Sequence, residues 1–282
     1  MKEYETLKTE EREDGIAIIT FNRPDSLNAM SLQFTEEMLY YLTTLEENYK
    51  IRIVVLTGEG RGFSSGLDLK ESQILAKKRV PEEYHKFEYM KSTDLVKRSI
   101  IAQKKLSEIM VKLRKIPQPI IAAVNGPAYG GGLGMVLASD IKIAAESAIF
   151  CNAFIKIGVS GTDMGSSYWL PRLIGFSRAA EFMYTGRDMD AHEAEKIGLI
   201  SRVVPNDNLL EEAIKTAKII LSRSPMGVRL TKEALNLNLN APSLEAAINL
   251  ENRNQIIMLN TKDAPEGAFS LLAKREPKYD MW

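Results

Sequence analysis

Short runs of β-branched and small apolar residues recur along the chain, and longer stretches with helical spacing lie between them. Residues 15–21 (GIAIITF), 52–57 (RIVVLT), 119–124 (PIIAAV), 140–144 (DIKIA) and 199–204 (LISRVV) predict strands. Between the first two, Leu32, Phe34, Met38, Leu42 and Leu45 fall near a 3.6-residue period, which predicts an amphipathic helix. Apolar strands alternating with helices imply an α/β core whose sheet is covered on both faces. From residue 177 the pattern is helical. Ser177 is the expected cap of a helix that stops at Gly186. Asp190 and Glu193 have capping-box spacing ahead of a short helix closed by Gly198. Ser224-Pro225 and Ser243 open two more helices, the second over 244–259.

Residues 70–116 differ: they are rich in lysine and glutamate and only weakly periodic. They predict helices and a mobile loop, either a lid or binding loop or a solvated excursion. No low-complexity linker and no internal repeat divides the chain. The expected organisation is a core over 1–205 and a C-terminal helical subdomain over 206–282.

Composition narrows the function classes. The chain has 282 residues, with 37 Lys and Arg against 37 Asp and Glu. No charge excess draws the whole molecule to nucleic acid or an anionic membrane. Cys151 is the one cysteine, which excludes an internal disulfide framework and fits a reducing compartment. The first twenty residues are acidic and lack the apolar core of a signal peptide, and no apolar run reaches the roughly 20 residues of a membrane span. The expectation is a cytoplasmic globular protein.

Candidate chemistry begins with "NGPAYGGGLGMVLASD" (125–140), where three glycines separate a strand from a helix. A helix N-terminus carries unpaired N–H groups and partial positive charge, and glycines let a ligand reach them. A second such stretch, "RGFSSGLDL" (61–69), follows the strand 52–57. Two N–H donors meeting on one oxygen would form an oxyanion hole. Close helix–strand packing is the structural alternative. A phosphate loop is disfavoured, because no Lys-Ser or Lys-Thr pair follows the glycines.

Six segments, "ITFNRPDSLNAMS", "VVLTGEGRGFSSGLDLKE", "PQPIIAAVNGPAYGGGLGMVLASDIKIAAESAIF", "LPRLIG", "TGRDMDAHEAEKIGLISRVV" and "EGAFSLLAKREP", together resemble the crotonase (enoyl-CoA hydratase/isomerase) superfamily. They occur in family order from about residue 5 to 277. The resemblance implies a ββα-superhelix fold, a homotrimer or a hexamer of paired trimers, and an acyl-CoA substrate, coenzyme A being part of the substrate and no separate cofactor being needed. It implies that the N–H groups of Leu67 and Gly131 hold the thioester carbonyl and stabilise an enolate-like anion. It also implies CoA contacts at Arg23, Leu27 and Ala29, along Ser64, Ser65, Gly66, Leu67, Asp68 and Leu69, at Gly130, Gly131 and Gly134, at Phe154, and at Lys274, the last often reaching a neighbouring subunit.

The chain departs from its relatives where hydratases carry two glutamates. Those positions are Gly134 and Phe154 here. Neither residue transfers a proton, so simple hydration and simple Δ3-Δ2 isomerisation both lose support. Asp163, nine residues past Phe154 in "IGVSGTDMGSSYWLP", resembles an aspartate of dienoyl-CoA isomerases, 4-chlorobenzoyl-CoA dehalogenase and naphthoyl-CoA synthases. It is the candidate acid/base residue. The structural alternative is a loop aspartate that caps a helix or meets Arg172. The histidine of the dehalogenase is replaced by Val111, and His85 and His192 form no Ser-His-Asp set with the glycine loop. No His, Cys and carboxylate cluster has metal-ligand spacing. Asp68 and Asp140 read as structural, and Tyr129 and Tyr168 as either acyl-site or packing residues. Three functions remain open: lyase or isomerase chemistry with Asp163, hydrolysis of a thioester or C–C bond, and acyl-CoA binding without catalysis.

Overall fold

A computed structural model describes residues 3–280. Its strands are β1 (Leu7–Glu11), β2 (Ile16–Phe21), β3 (Ile53–Gly58), β4 (Ile120–Val124), β5 (Ala128–Tyr129), β6 (Ile141–Ala145), β7 (Ile149–Cys151), β8 (Asp188–Asp190) and β9 (Arg202–Val204). The main sheet has the order β1-β2-β3-β4-β6-β9 and is parallel except at β1. A smaller sheet, β5-β7-β8, lies beside it.

Strand alternation divides the main sheet's side chains into two cores. Ala17, Ile19, Val54, Leu56, Ile120, Ala122 and Val124 join the larger one. There they meet α1 (Leu32–Glu46), the short α2 (Leu69–Leu75) lying nearby, and then α3 (Leu95–Lys115) and α4 (Gly131–Ala138). The α5 (Ser166–Ile174), α6 (Phe176–Thr185) and α7 (Ala191–Lys196) helices extend this core toward the smaller sheet. Ile16, Ile18, Ile53, Val55, Ile121, Ala123 and Ile143 point the other way, onto α8 (Leu209–Leu221) through Leu209, Ala213 and Ala217. The sheet is therefore covered on both faces, as its apolar strands require. Beyond α8, the α9 (Pro225–Asn238), α10 (Leu244–Leu259) and α11 (Asp263–Leu272) helices pack in sequence. The architecture is a crotonase-like ββα superhelix with C-terminal helices.

Some elements differ from expectation. β1 reads LKTEE with only Leu7 buried, so an edge strand carries no apolar run to read. The run 199–204 yields a strand only from Arg202, because the Leu199 N–H turns back to the Ala194 carbonyl at 2.9 Å after Gly198 adopts φ +82°. Ser177 is not a cap: α6 begins at Phe176, since Gly175 at φ +80° lets the chain leave α5 and enter α6 without a spacer. The Asp190, Ser224 and Ser243 caps accept from the N–H groups of Glu193, Gly227 and Ala246.

Residues 70–116 form a packed segment instead of the expected mobile loop. Leu32, Phe87, Tyr89, Met90 and Ala102 make a small separate core there. Arg98, buried on α3, donates to the carbonyls of Ser92 at 2.5 Å and Leu75 at 3.0 Å, tying the turns to the helix. No helix among the described residues is long and apolar enough to cross a membrane.

Candidate active site

The segment 23–30 and the loop 64–69 are laced together by hydrogen bonds. Leu27 and Asn28 both adopt left-handed backbone angles, φ +51° and +54°, at the tip of the first segment. Those angles are costly outside glycine, and here Asn28 is locked by its own side chain. Its Oδ1 accepts from the Arg23 N–H at 2.8 Å, and its Nδ2 donates to the carbonyls of Glu59 at 3.0 Å and Gly62 at 2.8 Å. The Ser64 hydroxyl donates to the Asn28 carbonyl at 2.8 Å, and the Ser65 N–H to that of Leu27 at 2.8 Å.

Arg23 completes the knot. Its guanidinium donates to the Ala29 carbonyl at 2.6 Å and to Asp68 Oδ2 at 2.9 Å. The other Asp68 oxygen accepts from the N–H groups of Lys70 and Glu71, capping α2, which Leu69 opens. The Asp68 carboxylate is thereby committed to holding the fold, which leaves any ligand contact to its backbone. Glu71 next to it accepts from the Leu32 N–H at 2.6 Å, and burial raises its carboxyl above the usual range.

Leu67 lies in the middle of this lacing. The Met30 N–H donates to the Gly66 carbonyl at 2.7 Å and the Asp68 N–H to the Met30 carbonyl at 3.1 Å, a parallel bridge that leaves the Leu67 N–H facing away. No partner among the described residues takes up that N–H. Gly131 is the first residue of α4, after Gly130 at φ +50°, and its N–H likewise lacks a partner within the helix.

The glycines bring these two donors onto touching backbone segments. A Cβ on Gly66 would stand 2.5 Å from the Tyr129 carbonyl oxygen and 3.1 Å from the Gly131 nitrogen. A Cβ on Gly132 would stand 2.3 Å from the Ser64 carbonyl oxygen. Two backbones that close leave no room for side chains between them, which accounts for much of the glycine run.

Side chains from other elements crowd the glycine helix. A Cβ on Gly134 would come within 2.7 Å of Met164 Cβ and 3.4 Å of Met110 Cε. A Cβ on Gly130 would lie 3.4 Å from the buried Phe154 ring. Asp163 immediately precedes Met164. Its Oδ1 accepts from Gln103 Nε2 of α3 at 2.7 Å and from the Met164 N–H at 2.7 Å. No described residue donates to Oδ2. Met164 adopts φ +50° and is buried, a strained conformation for a side-chain-bearing residue. Gln103 and Met110 carried no signal in the sequence, because they meet Asp163 and the glycine helix only through tertiary packing.

Other candidates are placed elsewhere. Arg172 does not meet Asp163: its guanidinium stacks on Tyr168, 3.8 Å from the ring centroid. The Tyr168 hydroxyl accepts from Asn240, and the Tyr129 hydroxyl donates to Asp188 at 3.2 Å. Burial, with the Asp188 charge, pushes the Tyr129 phenol up. His192 is exposed on α7. Lys274 lies exposed past α11 at φ +51°, and none of the described residues joins it to the glycine loop. Asp140 is a structural group, held by Arg114 at 2.8 Å, Lys232 at 3.0 Å and the Ile120 N–H at 2.8 Å. Among the described residues no group of three or more His, Cys, Asp or Glu is placed to hold a metal ion.

The superhelix, with a 64–69 loop lying against a glycine-capped helix, defines a crotonase-fold chain. The sequence matches the enoyl-CoA hydratase/isomerase family over residues 11–281, and the chain belongs to that family. It is 40% identical over 265 residues to a "Probable enoyl-CoA hydratase" of Mycobacterium bovis, covering 94% of this chain and 89% of that one. The crystal structure of an enoyl-CoA hydratase from Bacillus anthracis superimposes with a TM-score of 0.87 at 34% identity, over 99% and 100% of the two chains. That of a monofunctional enoyl-CoA isomerase from M. smegmatis gives 0.68 at 38%, over 86% and 98%. Relatives of both reaction types thus stand at similar distance in sequence.

Proposed function

We propose that this chain holds the thioester carbonyl of an acyl-CoA between the N–H groups of Leu67 and Gly131, and moves a proton with Asp163. The reaction class is lyase or isomerase chemistry through an enolate-like anion. The observation that carries this reading is the pair of unpartnered N–H groups on backbones pressed together at Gly66 and Gly131. Each such donor contributes roughly 3–4 kcal/mol when the oxygen gains charge in the transition state. With glycine and phenylalanine at the two glutamate positions, the carboxylate beside Met164 is the group left to carry a proton.

CoA contacts are assigned to Arg23, Leu27, Ala29, Ser64, Ser65, Gly66, Asp68, Leu69, Gly130, Gly134 and Phe154, with Lys274 serving a neighbouring subunit. A homotrimer, or a hexamer made of two trimers, is supported by apolar side chains left uncovered on the C-terminal helices. Leu244 is 77% exposed and Leu272 is 84% exposed. The test is turnover on a panel of enoyl-, dienoyl-, β-keto- and aroyl-CoA thioesters, with acetoacetyl-CoA titrated by calorimetry. Binding together with turnover of an enoyl or dienoyl member is expected. Binding without turnover of any member would leave a binding protein, turnover only by thioester or C–C cleavage would leave a hydrolase, and no binding at millimolar ligand would overturn the reading altogether.

A further inference from the structure

We propose that Gln103 is a positioning residue that clamps one oxygen of Asp163 and leaves the other to carry the proton; this rests on the function proposed above. The two donors on Asp163 converge on a single atom. Gln103 Nε2 and the Met164 N–H both reach Oδ1 at 2.7 Å, while no described residue donates to Oδ2. A carboxylate fixed in this way cannot swing, so its free oxygen keeps one direction.

The clamp belongs to a continuous wall. Gln103 and Met110 are seven residues apart on α3, two turns and therefore on one face. Met110 Cε comes within 3.4 Å of the Cβ position of Gly134, and Met164 Cβ within 2.7 Å of it. The stripe of α3 that supports the glycine helix at one end therefore holds Asp163 at the other. Gln103 is exposed at the surface of α3, whereas Leu106, Ile109 and Leu113 anchor the helix in the core. Gln103 lies outside that core. Its one side-chain hydrogen bond goes to Asp163.

The step it serves is balanced. Oδ2 takes a proton from the acyl chain, and the C–H electron pair moves into the thioester to give an enolate whose oxygen is held by the two N–H groups. The proton then returns from Oδ2 to carbon. In D2O the acid exchanges before return, so the substrate gains deuterium without net reaction.

Deuterium uptake by butyryl-CoA and crotonyl-CoA, read by mass spectrometry, is therefore the probe. Gln103→Met keeps length and helix propensity but removes the donor. The exchange rate at saturation should fall roughly 10-fold, the size expected for losing a hydrogen bond to a charged group, with half-saturating concentration and melting temperature unchanged. On an Asp163→Asn background, Gln103→Met should cause no further loss. If Asp163→Asn abolishes exchange while Gln103→Met exchanges at the wild-type rate, the clamp is wrong and the function stands. An equal loss from Gln103→Met in both backgrounds also overturns the clamp. If Asp163→Asn exchanges normally, the proposed function fails first and the clamp with it.

Discussion

Two aspartates near the ends of the α4 region show how differently one side chain can be used. Asp140 has both oxygens engaged: Oδ1 by Arg114, Oδ2 by Lys232 and the Ile120 N–H. Arg114, Lys142 and Lys232 crowd around it, and burial lowers the proton affinity of all three cations. Asp163 has one oxygen engaged, by an amide and a backbone N–H, and no cation among the described residues bonded to it. A carboxylate saturated by charge is a staple between β4, β6 and α9. One with an oxygen left clear, beside a strained residue and a glycine helix, is the group proposed to carry a proton. Partners, more than burial, separate the two.

The largest effect should come from the staple. Asp140→Asn leaves buried cations without their counter-charge and should cost roughly 3–5 kcal/mol of stability, seen in denaturant unfolding, while the folded fraction turns over normally. A variant as stable as wild type would show that Asp140 is not the keystone of that cluster.

Asp163→Asn should do the reverse. Shape and hydrogen bonding stay, but the titrating proton is gone, so turnover on the best substrate of the panel should fall 10²–10⁴-fold with ligand affinity and melting temperature nearly unchanged. An active but less stable protein would make Asp163 a second staple and erase the contrast.

The pH dependence sharpens the same comparison. Burial lowers the Lys142 ammonium from 10.5 to about 8, although it donates to the Ser139 carbonyl at 2.8 Å. A lysine whose folded value is depressed binds more protons when unfolded, so its contribution to stability rises between pH 8 and 10.5. Relative to Lys142→Met, wild type should gain up to about 3 kcal/mol across that window. Parallel stability curves for the two proteins would contradict the burial argument.

The smallest signal concerns hydration, for which Gly134 and Phe154 offer no carboxylate. Hydration of crotonyl-CoA should proceed far below the roughly 10³ per second of an efficient enzyme, because one carboxylate cannot both activate water and protonate carbon at once. A rate of that order would mean that a second proton carrier had been overlooked.

The same contrast explains what was legible in the sequence. Glycine positions report backbone geometry directly, so the 64–69 and 130–134 segments could be paired from residue types and family order. Asp190, Ser224 and Ser243 announced their helices for the same local reason. Gln103 and Asp163 are sixty residues apart, and nothing in either neighbourhood marks the partner. The packed state of 70–116 was hidden likewise: Arg98 looks like a surface arginine until its guanidinium is found buried on the carbonyls of Ser92 and Leu75. β1 escaped notice because an edge strand needs only one buried residue.

The central claim is that two backbone N–H groups polarise a thioester carbonyl, and infrared difference spectroscopy tests it most directly. With crotonyl-CoA carrying 13C at the carbonyl, the C=O stretch of the bound ligand should move to lower wavenumber than in water. Gly131→Val, whose side chain enters the crowded space beside Met30 Sδ and Gly66, should abolish that shifted band. A bound ligand whose carbonyl band stays at its aqueous position in the wild-type protein would contradict the account.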